Sequence, residues 1–158
     1  MNILLHTISL FLIIIPRKVA LSGGRLLGWL IYTFVPIRFS VARQNISFAF
    51  RQFNSSQVED LLLKCSKHYG MVLIDFLRQS GLNYKNVNNY VTMDKETKLV
   101  LNSCDGGIIM TGHLGNWEAF LPALGLNGYP FVVVTQTQKN EGSQKFFNSI
   151  RNFPNVSL

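Results

Sequence analysis

The first forty residues contain two runs of apolar side chains, at residues 3–15 and 26–39. As a helix, the thirteen residues of the first run rise only about 20 Å, short of the roughly 30 Å hydrocarbon core of a bilayer. No basic residue precedes this run, so the pattern is not that of a signal peptide. The two runs predict a helical hairpin entering one leaflet, or a first helix that inserts beside a second on the surface. Two buried helices of a soluble core are the alternative.

Aromatic and basic side chains near these runs favour a membrane surface. Trp29 and Tyr32 suit the headgroup region, where amphipathic rings concentrate. Basic side chains in the same part of the chain can meet anionic lipid; they are Arg17, Lys18, Arg25, Arg38 and Arg43. The whole chain is also apolar for its size, with 47% hydrophobic and 15% charged residues, and its net charge is +7. This balance indicates an anionic partner, either a membrane or a nucleic acid.

Helical periodicity dominates the next part of the chain. Apolar positions recur at helical spacing over residues 41–53 and again over residues 58–77. The SQVE sequence at 56–59 has the spacing of a capping box and predicts the start of the second helix, and Ser80 with Gly81 predicts its end. The apolar stripe of this helix is expected to be core.

Three polar or reactive residues of the long helix follow from the same pattern. His68 and Asp75 lie off the apolar stripe and are predicted to be surface residues. Cys65 lies on the stripe, and neither it nor Cys104 belongs to a CxxC pair. Both are therefore expected to be buried thiols in a reducing compartment, not disulfide partners or metal ligands.

The second half of the chain alternates between strand and helix patterns. Helices are predicted over residues 94–103, 117–126 and 144–151, and buried strands over residues 107–111 and 131–135. Asn116 is the expected N-cap of the middle helix. Strand, glycine-rich turn, helix and strand form a βαβ unit, so the fold class is α/β: apolar amino-terminal helices precede a partial, mostly parallel sheet with flanking helices. Ligands of such sheets bind at the carboxyl ends of the strands.

A histidine and a carboxylate lie five positions apart just after the first predicted strand. His113 is suited to take a proton near neutral pH, and Glu118 is of the type that orients such a base. On one continuous helix the two would lie about 140° apart. They can meet if His113 lies in the loop and Glu118 in the first helical turn, with Gly112 and Gly115 providing backbone freedom. The alternative is a loop histidine beside an ordinary helix-start carboxylate.

Several other chemistries lack their motifs. G-x-S-x-G is absent, which gives no support to a serine hydrolase, and the absence of H-E-x-x-H argues against a zinc protease. The positive residues are scattered and no nucleic-acid reader motif is present, so the expected anionic partner is a membrane and not a nucleic acid.

Residues 111–118 read TGHLGNWE. This order resembles the H-x-x-x-x-(D/E) signature of glycerolipid-type acyltransferases, and its G-H-x-G-N-W-E form resembles the bacterial lipid A biosynthesis acyltransferases. The apolar run ending at Pro16, Gly28 with its apolar neighbours, and RQNISFAF at 43–50 are also similar in order. Residues 133–140 resemble the family segment that follows the second strand. The resemblance runs from end to end of the chain.

The resemblance implies acyl transfer without a metal or cofactor. His113 would be the general base on an acceptor hydroxyl, oriented by Glu118, and the hydroxyl would attack an acyl thioester without a covalent acyl-enzyme. Gly115 and Asn116 would lie at the substrate, where helix-start N–H groups and the Asn116 amide can stabilise the oxyanion. Further substrate contacts are expected at Gln138, Lys139 and Arg151.

The implied partners are an acyl donor, a glycolipid acceptor and the membrane. The donor would be acyl carrier protein or acyl-CoA, and the acceptor a lipid A precursor or related glycolipid. Lys139, Lys145 and Arg151 would attract an acceptor phosphate or an acidic carrier protein. The expected location is the cytoplasmic face of the bacterial inner membrane.

The resemblance also implies a division of the chain. Residues 1–40 would be membrane-associating helices and residues 41–158 the amino-terminal part of an α/β acyltransferase domain. Family members are longer, so the chain is expected to span about their first half, with Arg151 where their arginine motif begins. An unpaired sheet edge and exposed apolar surface are then expected. The alternative function is a catalytically inactive, membrane-associated remnant or binding protein of the same fold.

Overall fold

The computed structural model describes residues 2–35 and 37–158. Met1 and Pro36, which the predicted segment 1–40 includes, lie outside the described residues. The described helices are α1 (Asn2–Ile14), α2 (Arg17–Phe34), α3 (Phe39–Ala49), α4 (Ser55–Arg78), α5 (Val87–Tyr90), α6 (Lys95–Ser103), α7 (Phe120–Gly125) and α8 (Glu141–Ile150). The strands are β1 (Phe131–Val132) and β2 (Val156–Ser157), and 3-10 turns lie at Gln79–Gly81 and Trp117–Ala119. Helices around a small parallel sheet confirm the predicted α/β class.

The chain divides into two compact units, one of residues Ile15–Asp75 and the other of α1 with Phe76–Leu158. In the first unit, α2 and α4 meet through glycines. A Cβ on Gly28 would lie 2.2 Å from the Ser66 carbonyl oxygen, and one on Gly70 would lie 2.2 Å from that of Gly24. The Ser66 hydroxyl donates a hydrogen bond of 2.8 Å to the Gly28 carbonyl. These glycines therefore allow backbone-to-backbone contact that no larger residue permits.

Two ion pairs also hold the Ile15–Asp75 unit together. Arg17 donates to both carboxylate oxygens of Asp75, at 3.0 and 2.7 Å. Asp75 is buried, so the prediction that it is a surface residue is wrong. The periodicity of apolar residues does not show that a carboxylate is buried together with an arginine that pairs with it. In the second pair, Arg43 binds Glu59, which also accepts a hydrogen bond of 2.9 Å from the Tyr32 hydroxyl.

The second unit has two buried apolar clusters. One is formed by Val87, Leu121, Leu126 and Phe153, with Phe131, Val133 and Val156 packed against it. The other is formed by Phe76, Phe146 and Ile150, with Leu5, Leu77 and Phe147 packed against it. The buried face of α8 belongs to the second cluster, as does a side chain of α1. Near this cluster the Ser9 hydroxyl donates a hydrogen bond of 2.6 Å to the Leu77 carbonyl.

The parallel strand pair is not the predicted one: the second predicted strand pairs with a later segment of the chain. β1 pairs with β2, with Phe131 opposite Val156, and the connection between them contains α8. The prediction of a buried strand over residues 107–111 is wrong, because this segment has no strand structure and Ile108 and Met110 are each 94% exposed. The predicted strand over 131–135 is shorter, and Val134 is 98% exposed. A strand needs a hydrogen-bonded neighbour, and among the described residues β1 has one only on the β2 side.

Local capping differs from the sequence expectation at two helices. The capping box of α4 is formed by Asn54 and Gln57, whose side chains each accept a hydrogen bond from the other's backbone N–H, and not by Ser56 with Glu59. Asn116 makes no side-chain capping bond to the turn that follows it. Asp94 and Asn140 do cap α6 and α8, accepting from the backbone N–H groups of residues three positions later. The cap depends on local backbone geometry that residue type alone does not fix.

The remaining expectations concern thiols and membrane spans. Cys65 and Cys104 are free and exposed, so the prediction of buried thiols is wrong. Within residues 2–35 and 37–158, no single helix has both the length and the apolar character to cross a membrane. The pair α2 and α3, bent by 103°, reaches that length and composition together.

Candidate active site

His113 lies at the apex of a tight backbone turn. The Leu114 N–H donates a hydrogen bond of 2.8 Å to the Gly112 carbonyl, which closes a three-residue γ-turn around the histidine. Gly115 follows with φ at +58°, a left-handed conformation that glycine adopts without steric cost. His113 and its neighbours in the loop are exposed. The turn therefore presents the imidazole to solvent, where a substrate can reach it.

The imidazole packs against an aromatic ring one turn further on. The ring centroids of His113 and Trp117 lie 4.4 Å apart with a tilt of 58°. Trp117 begins the 3-10 turn Trp117–Ala119, which leads directly into α7. Since α7 is buried from Leu121 to Gly125, this contact gives the loop histidine a fixed neighbour on a packed element.

Glu118 is held by an arginine from the end of α8. Arg151 donates from Nε at 2.9 Å and from Nη2 at 2.5 Å to the two carboxylate oxygens. The side chains are only 15% and 14% exposed. Arg151 also lies over the ring of Phe147, at 5.3 Å from its centroid. No hydrogen bond joins His113 to Glu118 among the described residues.

Asn116 lies between the histidine and the carboxylate with an unusual amide. Both side-chain atoms, Nδ2 and Oδ1, are buried and have no hydrogen-bond partner in the described part of the chain. A buried amide without partners is costly, and such groups concentrate where a ligand supplies the missing bond. The partnerless amide of Asn116 therefore points to a ligand site at residues 113–118, and the sequence alone did not show that this amide is buried.

The other predicted substrate residues lie in an exposed loop after β1. The Gln138 backbone N–H donates a hydrogen bond of 2.6 Å to the side-chain oxygen of Gln144, and the Gln138 side-chain amide donates to the Gln136 carbonyl. Lys139 is exposed and precedes the N-cap residue of α8. In the described residues, no hydrogen bond or ion pair joins Gln138 or Lys139 to His113 or Glu118. A shallow groove of about 400 Å³ includes Arg151, Asn148 and Asn152 in its lining.

The structure thus brings Glu118 together with Arg151 and His113 together with Trp117. His113, Glu118 and Arg151 were predicted from the sequence as site residues and Trp117 was not, but neither pairing was predicted. The opposite charges of Glu118 and Arg151 were the only available signal, and 33 positions separate them. Among the described residues, no group of three or more histidine, cysteine or acidic side chains is placed to hold a metal ion.

The GHLGNWE segment at residues 112–118 thus carries an exposed histidine and a half-buried carboxylate within an α/β architecture. The family model described as bacterial lipid A biosynthesis acyltransferase matches residues 2–158. The chain belongs to this family, whose activity is acyl transfer from an acyl donor to a lipid acceptor. Comparisons with curated proteins and with solved structures found no match.

Proposed function

We propose that this chain is an O-acyltransferase that moves a fatty acyl group from an acyl thioester to a hydroxyl of a lipid A precursor or related glycolipid. The observation that carries the proposal is the exposed imidazole of His113, on a turn within the residues that the family model matches. An exposed imidazole on such a turn can act as a general base.

In the proposed reaction, His113 removes the proton from the acceptor hydroxyl as its oxygen attacks the thioester carbonyl carbon. The resulting tetrahedral intermediate collapses, the C–S bond breaks, and the thiol leaves with the proton that the imidazolium returns. The partnerless amide of Asn116 supports a role for its Nδ2 as a donor to the oxyanion, beside the backbone of Gly115. Glu118 orients the base when a ring N–H of His113 reaches it.

The acyl donor we favour is acyl carrier protein, with acyl-CoA as the other thioester. Lys139 and Lys145 are exposed cations near the start of α8 and suit an acidic protein surface or an acceptor phosphate. Gln138 belongs to the same exposed loop. A transfer assay with each donor in turn, on a glycolipid acceptor with free hydroxyls, tests this assignment.

His113→Ala is expected to reduce transfer by at least about 10²-fold, because general base catalysis is typically worth that much. The fold should persist, since the side chain is exposed. His68→Ala, at another exposed histidine, is the matched control and should retain full activity. Turnover retained in His113→Ala would refute the base assignment. A wild-type chain inactive with both donors would instead favour the catalytically inactive remnant.

We also propose that residues 1–40 attach the chain to the cytoplasmic face of the inner membrane. The support is a set of exposed apolar side chains on two helices; they are Ile3, Leu4, Leu10, Phe11 and Ile14 on α1, and Val19, Leu26, Trp29 and Phe34 on α2. Lys18, Arg25 and Arg38 are exposed cations in the same segment. Apolar side chains bind a membrane interface by becoming buried in it, and basic side chains add electrostatic attraction to anionic lipid.

Vesicle flotation tests this attachment. The chain is expected to float with vesicles that contain anionic lipid, and part of the binding should survive high salt because burial of apolar side chains is not screened. Phe11→Asp combined with Phe34→Asp should reduce binding, whereas Tyr84→Asp, at an exposed aromatic outside the segment, is the control. Equal flotation of all variants would contradict the assignment.

A further inference from the structure

Glu118 and Arg151 form an enclosed ion pair within the candidate site. Its two side chains are only 15% and 14% exposed, whereas in the Arg17–Asp75, Arg43–Glu59 and Lys64–Asp60 pairs at least one side chain is more than 40% exposed. The contact is bidentate, with Nε and Nη2 of the guanidinium on separate carboxylate oxygens. Such a fork fixes the plane of the carboxylate as well as its distance, which a single contact does not do.

Two aromatic rings hold the guanidinium of Arg151 in place. It lies over the rings of Phe147 and Phe76, at 5.3 and 6.0 Å from their centroids. The residue before it, Ile150, is 1% exposed, and its carbonyl accepts a 3.4 Å hydrogen bond from the fully buried amide of Gln79. Arg151 therefore follows directly on a buried helix end, and the packing of that end fixes the position of its backbone.

We propose that Arg151 is a positioning residue that acts through Glu118 and is not a contact to the substrate. Because two of its donors are occupied by Glu118, an anionic substrate group would have to displace a bidentate carboxylate to bind the same edge of the guanidinium. Each carboxylate oxygen keeps a further lone pair. Glu118 can therefore accept the ring N–H of His113 while Arg151 continues to hold it.

This role rests on the proposed acyl transfer and makes a prediction that a substrate contact does not make. If Arg151 acts only through Glu118, replacing Arg151 should cause no further loss of activity in a variant that already lacks the Glu118 carboxylate. If Arg151 binds the acceptor, its replacement weakens acceptor binding whether or not Glu118 is present. The two roles differ in additivity and in whether KM or kcat changes.

The test is a double-mutant cycle in the full chain with Arg151→Ala, Glu118→Gln and the double variant. We expect kcat to fall about 10²-fold in Arg151→Ala, with KM for the acceptor within twofold of wild type, since misplacement of a catalytic group has effects of that order. The double variant should be no slower than Glu118→Gln alone. Lys98→Ala, at an exposed cation on α6, is the control and should leave both constants unchanged.

Arg151→Lys serves as a second variant in case Arg151→Ala does not fold. Lysine keeps the positive charge and the aliphatic part of the side chain but cannot make the bidentate contact. It should remain folded and recover only part of kcat. Additive losses in the cycle, or a raised KM with kcat kept, would overturn the positioning role. An inactive wild-type chain would refute the proposed acyl transfer and this role with it, whereas an active chain with additive losses would refute the role of Arg151 alone.

Discussion

The carboxylate of Glu59 is the point at which single residues of α2, α3 and α4 meet. It accepts hydrogen bonds from the Tyr32 hydroxyl and from the Arg43 guanidinium. The hydrogen bond from Arg43 is the main cause that lowers the pKa of the Glu59 carboxyl, and the bond from Tyr32 adds to it. The folded chain therefore favours the ionised form of this group.

The sign of the pH dependence follows from that shift. A carboxyl whose pKa is lower in the folded state adds stability above its unfolded pKa of about 4.3, and this stability is lost as the pH falls through the folded pKa. Glu59→Gln should therefore reduce the free energy of unfolding at pH 7, and the difference from wild type should shrink by pH 3. Urea unfolding at the two pH values measures it.

The neighbouring carboxylate provides the control for this experiment. Asp60 forms an exposed pair with Lys64, one turn along α4. Exposed pairs of this kind contribute little, so Asp60→Asn should change the free energy of unfolding by less than about 0.5 kcal/mol at pH 7. An effect of Glu59→Gln that is the same at both pH values would contradict the electrostatic explanation.

At the residue scale, the sequence did not predict which side chains pair. His113, Asn116 and Glu118 were selected from the motif; the structure places His113 in a γ-turn, Asn116 just before the 3-10 turn Trp117–Ala119, and Glu118 within that turn and paired with Arg151. Asp75 was assigned to the surface and is buried with Arg17, while Cys65 was assigned to the core and is exposed. Whether a residue on a helix is covered depends on which other elements pack there, and a single sequence does not contain that information.

The contact between α2 and α4 makes a sharp prediction at the scale of elements. A methyl group on Gly28 would lie 2.2 Å from the Ser66 carbonyl oxygen and 2.6 Å from the Lys67 Cα, both of them backbone atoms. Gly28→Ala must therefore separate the helices, and we expect a loss of about 1–3 kcal/mol in the free energy of unfolding.

Gly23 on the same helix is the matched control. A Cβ there would have nothing within 4 Å, so Gly23→Ala should stabilise the chain by roughly 0.5–1 kcal/mol through helix propensity. Opposite signs for two glycine-to-alanine changes five residues apart would identify the contact, and not helix propensity, as the cause. Equal shifts of the urea midpoint would contradict it.

Helices were predicted well and strands poorly, for a physical reason. The helix predicted over 58–77 is found at Ser55–Arg78, and the one over 94–103 at Lys95–Ser103, because helical hydrogen bonds are local and their periodicity is written in the chain. The strand predicted over 107–111 does not form, although its apolar side chains fit the pattern. Strand pairing depends on distant segments, and here the partner of β1 is β2.

At the scale of the whole molecule, the outer edge of β1 is the exposed feature with the clearest consequence. Val132 and Val134 are 75% and 98% exposed, beside a strand that is paired on one side among the described residues. Exposed apolar edges of this kind recruit other chains. We expect the purified chain to self-associate as its concentration rises, and Val134→Lys to reduce this.

Light scattering against concentration measures that association. Thr137→Lys adds the same charge at an exposed polar position of the following loop and is the control for net charge alone. If both variants reduce scattering equally, repulsion between like-charged molecules explains the result and the edge does not. A larger effect of Val134→Lys supports association through β1.

The ring contact between His113 and Trp117 provides a built-in optical signal. The sequence has two tryptophans, and replacing Trp29 by phenylalanine would leave Trp117 as the single indole fluorophore, 4.4 Å from the imidazole. Any molecule that displaces or protonates that imidazole alters the surroundings of the fluorophore. Emission from one residue can then follow the arrival of donor or acceptor in real time, without a labelled lipid.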